Sequence, residues 1–136
     1  MRALKFIVNL TQHAPTPEQI AAGVFTSNPE AVRILLTFDT LPDVSNVVFR
    51  ARDLARIAQA SGATHALIGG APYLMPPLQW HLQQVGIVPL YAFSERVSSE
   101  EVQKDGSVRK VNTFKHGGFY SPILPTMGED LSFEGE

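Results

Sequence analysis

Residues 46–70 read NVVFRARDLARIAQASGATHALIGG, and this stretch decides the fold. From Asn46 to Ser61 apolar residues recur at the helical period. Val47, Val48, Ala51, Leu54, Ala55 and Ala58 fall on one stripe, with Arg50, Arg52, Asp53, Arg56 and Gln59 largely opposite. Ser45 is placed to cap this helix and Gly62 to end it. Ala63 to Ile68 is then a short apolar run closed by Gly69-Gly70, the pattern of a strand buried on both faces. A helix feeding straight into a buried strand is half of a crossover between parallel strands.

The same unit repeats on either side. After Gly70, the segment from Ala71 to Pro76 reads as a turn, and a helix is predicted over about Pro77 to Val85, stopping at Gly86. Val88 to Phe93 follows as a strand. Towards the N-terminus, residues 3–10 form a near-continuous apolar run, read as the first strand. Thr16-Pro17-Glu18-Gln19 is a helix start: Thr16 caps, Pro17 suits the first helical position, and Gln19 closes a capping box. That helix is expected to run to about Gly23, and Arg33 to Phe38 reads as a further strand. Strands alternating with helices predict a small three-layer α/β fold, Rossmann-like or flavodoxin-like, with a mostly parallel sheet.

The last third departs from the pattern. Lys104-Asp105-Gly106-Ser107 signals a hairpin, and a two-residue turn there sets Glu101 opposite Lys110 and Val97 opposite Phe114. The arms, Arg96–Lys104 and Ser107–Lys115, are mainly polar, and such a ribbon is marginal alone. It is expected to fold over a ligand site or a second subunit. The chain is thus read as one domain over residues 1–127, with a hairpin arm at about 96–115 and an acidic, disordered tail at 128–136.

Composition narrows the possibilities. The chain has 136 residues, 44% of them apolar, a formal net charge of −2 and no cysteine. A disulfide scaffold, a cysteine-ligated zinc site and thiol catalysis are excluded. No apolar run approaches the roughly 20 residues that span a bilayer, and the N-terminal run is short for a signal peptide, so a cytoplasmic protein is expected. Glu129, Asp130, Glu134 and Glu136 crowd the end; without them the body carries nine acids against eleven bases. That balance tolerates an anionic ligand but lacks the basic stripe of a duplex-DNA binder.

Ligands of open α/β sheets bind beyond the carboxyl ends of the strands. Asn9, Thr11, Gln12 and His13 lie there after the first strand, Asp39 and Thr40 after the second, Gly69, Gly70 and Ala71 after the third, and Ser94, Glu95 and Arg96 after the fourth. His13 suits proton transfer or phosphate contact, or else orders its own loop. Asn9 and Gln12 suit a ribose or base edge, or satisfy loop backbone. Free amides at the start of the first helix suit a phosphate, although the capping box competes for them. Gly69-Gly70 permits close backbone approach, or forms a plain strand-to-helix turn. Arg96 is the best-placed cation and Ser94 the best-placed hydroxyl, against the plainer reading of a solvated strand end. Lys115-His116 is more simply an exposed ribbon end than a flap over the site, and His65 and His81 read as structural. Asp39 has no partner carboxylate, and neither a P-loop, a G-x-G-x-x-G fingerprint nor a G-x-S-x-G elbow is present.

The run Asn9-Leu10-Thr11-Gln12-His13-Ala14-Pro15-Thr16-Pro17-Glu18-Gln19 resembles the opening of small CRISPR-associated Rossmann-like families. These are similar in kind to ring nucleases and to sensor domains for cyclic oligoadenylates. Here Gln12 is an extra residue between hydroxyl and histidine, and the hairpin is an addition to the pattern. The resemblance implies a cyclic oligoadenylate ligand and RNA-type phosphodiester cleavage by a ribose 2′-hydroxyl, with no metal and no cofactor. It implies His13 for proton transfer, Arg96 for charge stabilisation and a ligand shell of Asn9, Thr11, Gln12, Gly69, Gly70 and Ser94. A two-fold symmetric ligand further implies a homodimer. The alternative is a non-catalytic nucleotide-sensing or protein-interaction module of a phage or defence system.

Overall fold

The long apolar stripe becomes the helix that organises the core. In the computed structural model, which describes residues 5–123, the elements are β1 (Ile7–Leu10), α1 (Pro17–Ala21), β2 (Val24–Phe25), α2 (Pro29–Leu36), α3 (Val44–Ala60), β3 (His65–Ile68), α4 (Met75–Gln84), β4 (Val88–Val102) and β5 (Val108–Tyr120). The sheet runs β2-β1-β3-β4-β5, with parallel pairing everywhere except between β4 and β5. This is the α/β class expected, in the strand order of flavodoxin-like sheets. The acidic stretch 128–136, the boundary at 127 and residues 3 and 4 of the first predicted strand lie outside the described residues.

Most of the core lies on one face of the sheet. Val8, Leu10, Ala66 and Ile68 point to that side and pack against Leu36 of α2, Ala51, Leu54 and Ala58 of α3, and Leu78 and Leu82 of α4. Ile7, Val24, Leu67 and Leu90 form a smaller cluster on the other side, joined by Phe119. Right-handed crossovers put α1 on this second face. There it makes a thin layer, because five residues without a buried side chain cover little.

Three expectations change. Arg33–Phe38 is not a strand: Pro29–Leu36 is helix α2, started by Pro29 in the first turn and burying Val32 and Leu36, four residues apart. The second strand is Val24–Phe25, too short to show alternation, and Asp39-Thr40 therefore follows a helix instead of ending a strand. At α4 both prolines sit inside the helix, which starts at Met75. First-turn amides have no intrahelical acceptor, so their loss costs nothing there. Asp43, not Ser45, caps α3 by accepting from the Asn46 amide at 2.8 Å, while Gly62 ends the helix at φ +79° as expected.

The hairpin forms, but its register is shifted by one residue. Gln103 pairs with Ser107 across a three-residue loop, Lys104-Asp105-Gly106, with Gly106 at φ +86°. Val97 therefore faces Thr113 and Glu101 faces Arg109, while Glu100 takes Lys110. Charge pairing survives the slip because acids and bases stand in adjacent positions on both strands. Strand β4 is also continuous, so the fourth sheet strand and the first hairpin arm are one element. No helix among the described residues is long and apolar enough to cross a membrane.

Arg50 ties α3 to the end of α2. Its Nη1 donates to the carbonyls of Ile34, Leu35 and Thr37, at 3.1, 3.1 and 2.6 Å, and its guanidinium lies 4.4 Å from the centre of the Phe38 ring. A cation on the last carbonyls of a helix satisfies acceptors that would otherwise face only solvent. Arg50→Met keeps the aliphatic stem and removes those bonds. It is expected to cost about 1–2 kcal/mol in urea unfolding, with an unchanged slope.

Candidate functional site

The chain moves from β1 to β2 in one direction and from β3 to β4 in the other. The carboxyl ends of β1 and β3, which pair over Ile7–Leu10 and His65–Ile68, therefore flank the sheet's switch point. A cleft of about 510 Å³ opens there. The loop after β1 gives it Thr11, Gln12 and His13, the loop after β3 gives it Gly69 and Gly70, and Tyr91 contributes from β4.

The β1–α1 loop is held by its own side chains. Asn9 is 5% exposed, its Nδ2 donates to the His13 carbonyl at 2.8 Å, and its Oδ1 accepts from the Thr11 amide and hydroxyl at 3.1 and 2.7 Å. The His13 amide in turn donates to Thr11 Oγ1 at 3.2 Å. Asn9 and Thr11 thus spend their polar atoms on a closed turn. Of the two readings the sequence leaves open for Asn9, the structure selects loop backbone. Gln12 Nε2 reaches Thr37 Oγ1 at 3.3 Å and remains exposed. The turn presents the His13 imidazole outward, with no hydrogen-bond partner among the described residues.

The opposite wall is backbone. Gly70 holds φ +146°, with Leu36 Cδ2 and Met75 Cε 3.7 and 3.8 Å from where a Cβ would stand. That conformation is open essentially to glycine alone. A Cβ at Gly69 would meet only the Thr11 methyl, at 3.7 Å, so the second glycine is the demanding one. The capping box of α1 forms as expected: Thr16 Oγ1 accepts from the Gln19 amide at 3.1 Å, and Gln19 Oε1 accepts from the Thr16 amide at 3.0 Å. Those donors are consequently closed to a phosphate.

Two expected site residues stand away from the cleft. Ser94 and Arg96 lie on the ribbon, opposite His116 and Phe114, and neither lines the cavity. Arg96 is four residues past Ala92, the last cleft residue of β4, or roughly 13 Å along an extended strand. Lys115 does not fold over the cleft either: it pairs with Glu95 at 3.7 Å, and the His116 ring rests 4.8 Å from that of Phe119. His65 sits at the far end of the sheet, where burial first and the Lys5 charge second hold its imidazole below the usual histidine range. His81 stacks edge-on to Trp80 on α4.

Tyr91 is a cleft residue that sequence reading passes over. Its hydroxyl donates to Gln79 Oε1 at 2.6 Å, and burial raises its phenol above the ordinary value. Its position next to the last parallel pairing of β4 is the one signal that marks it. Among the described residues no aspartate, glutamate, lysine or arginine lines the cleft. Among the described residues no three histidine, aspartate or glutamate side chains gather as a metal-ligand set. The chemistry on offer is one imidazole, small polar groups and close backbone approach.

The sequence match to known families covers this whole arrangement. The family model of the Uncharacterized protein MJ1673 family matches residues 5–120, from just before β1 to the last residue of β5. The chain belongs to the MJ1673 family. The matched residues include the ribbon as well as the parallel sheet. No curated protein and no solved structure matches the chain.

Proposed function

We propose that this MJ1673-family chain binds a cyclic oligoadenylate in the switch-point cleft and cleaves it as a metal-independent ring nuclease. The observation that carries the reading is the placement of His13: an imidazole without a hydrogen-bond partner among the described residues, on a turn fixed by Asn9 and Thr11 that lines one cleft with Gly69 and Gly70. The resemblance of Asn9–Gln19 to small CRISPR-associated proteins supplies the ligand class. In the reaction a ribose 2′-oxygen bonds to the adjacent phosphorus and the P–O5′ bond breaks. The 2′-hydroxyl proton ends on the departing 5′-oxygen, leaving a 2′,3′-cyclic phosphate. His13 carries that proton, and Gln12, Gly69 and Gly70 position the sugar-phosphate.

The reading includes a cytoplasmic homodimer and gives no part to duplex DNA, a membrane or a cofactor. A second copy supplies what one chain's cleft lacks. Among the described residues no cation lines the switch-point cleft itself, and there the site takes Arg96 from the other copy's ribbon. On that ribbon Val102, Val108 and Phe114 are more than half exposed and await a partner.

A second reading, a non-catalytic nucleotide sensor or protein-interaction module of a defence system, is favoured by the lack of a carboxylate among the described residues that line the switch-point cleft with His13. Incubation with labelled cyclic tri-, tetra- and hexa-adenylate in EDTA separates the two. Conversion to products ending in 2′,3′-cyclic phosphate is expected; tight binding without turnover selects the sensor, and neither selects the protein-interaction role.

A further inference from the structure

The turn that carries His13 has a second hollow behind it. This cavity, of about 370 Å³, lies beyond the ends of β1 and β2, between the approach to α1 and the start of α2. Thr11, Gln12 and His13 line both cavities, so the turn is the partition between them. Beyond the turn, the second hollow is lined by Thr26, Glu30 and Arg33, with Ala14 beside His13.

We infer that the two hollows are paired subsites for a dinucleotide segment, one nucleoside in each, with the linking phosphate over the His13 turn. This rests on the nucleotide reading above and gives its ligand an orientation. Each hollow falls near the lower end of the size range for a small-molecule site, and the larger is about 510 Å³. Two such spaces separated by one turn fit a ligand with two bulky groups on a narrow link. A proton-transfer group acts on a phosphodiester only from beside the link, and the partition is where His13 stands.

The chemistry of the second hollow agrees with a base instead of a phosphate. Arg33 and Glu30 form an ion pair across one turn of α2, so the wall offers donors and an acceptor without net charge. A purine edge presents both kinds of group, whereas a free phosphate competes with Glu30 for the same guanidinium. The switch-point cleft, with its glycine wall and Tyr91, takes the other nucleoside.

The test uses the full chain, with AMP and the linear dinucleotide ApA as probes, ApA bearing a 2′-deoxy sugar on its 5′ side to prevent cleavage. Ala14→Trp and Thr26→Trp each fill the second hollow from a different exposed loop. Both variants are expected to weaken ApA by at least about tenfold while leaving AMP within about twofold of wild type. Unchanged ApA binding in both, or equal losses for AMP and ApA, overturns the paired subsites while leaving the nucleotide reading intact. A wild-type chain that binds neither these probes nor a cyclic oligoadenylate overturns the nucleotide reading, and the subsites with it.

Discussion

His13→Ala is expected to slow the proposed cleavage of a cyclic oligoadenylate by about 10²–10⁴-fold in single-turnover rate, while ligand affinity stays within a few-fold. The split follows from what the side chain does and does not touch. Its backbone carbonyl and amide complete the turn with Asn9 and Thr11, and an alanine keeps both. Its imidazole bonds to no described residue, so its removal leaves no orphaned group and the loop holds its shape. The proposed ligand contacts of Gln12, Gly69 and Gly70 are left in place. Asn9→Ala makes the contrasting case. It removes the acceptor for the Thr11 amide and hydroxyl and the donor to the His13 carbonyl, from a side chain that is almost wholly buried. Stability, binding and rate are then expected to fall together. If His13→Ala turned over at the wild-type rate, the imidazole would have no part in proton transfer, and the assignment of His13 would fall while the activity stood.

The contrast also shows what the sequence can reveal about the site. Strand followed by polar loop is a robust pattern, so the sequence alone locates the loops holding Thr11–His13 and Gly69-Gly70. The roles inside a loop are not, because Asn9 is equally suited to a ribose and to its own backbone. Only the distances to Thr11 and His13 decide between them. Arg96 was misplaced for a different reason. Polar residues after Phe93 read as the end of a strand, whereas β4 continues through them as an exposed ribbon and carries Ser94 and Arg96 away from the cleft. Exposure removes the apolar signal while leaving the backbone extended. Tyr91 went unmarked because an aromatic residue inside a buried strand looks like core.

The fold divides the same way. Helix α3 was legible because seventeen residues repeat the helical period many times over. The run Arg33-Ile34-Leu35-Leu36-Thr37-Phe38 was not, since a short apolar run fits a strand and a buried helix equally well. The deciding residue was Pro29, upstream of the run, which starts a helix whose inward positions are Val32 and Leu36. Once those residues are helical, β1 takes its outer neighbour from two residues, Val24 and Phe25. The edge of the sheet beside the site therefore hangs on a very small element, and on the glycine that precedes it.

Gly23→Ala is expected to cost more stability than its backbone conformation alone explains. Gly23 has φ +110°, and its carbonyl accepts from the Ile7 amide at 3.0 Å, the bond that starts the β1–β2 pairing. A Cβ built there overlaps the Lys5 carbonyl oxygen. The clash is with backbone, so no rotamer change relieves it. Either β2 moves off β1 or residue 23 leaves its conformation, and both break the Ile7 bond. Strain at such a φ costs about 1–3 kcal/mol and the displacement adds to it, giving a total of about 3–5 kcal/mol. In a domain this size that lowers the melting temperature by roughly 10 °C or more. Gly62→Ala separates the two contributions. Gly62 also has a positive φ, +79°, but nothing lies within 4 Å of its added Cβ. It is expected to cost only about 1–2 kcal/mol, the price of the left-handed conformation alone. Equal losses in thermal melts of the two variants would mean that the Lys5 contact yields freely and that β2 is not fixed by it. A much larger loss for Gly23 would mean that the turn after α1 clamps the sheet edge next to the His13 loop. Ligand affinity should then fall at temperatures where the Gly23 variant is still mostly folded, because the loop's neighbouring strand has loosened first.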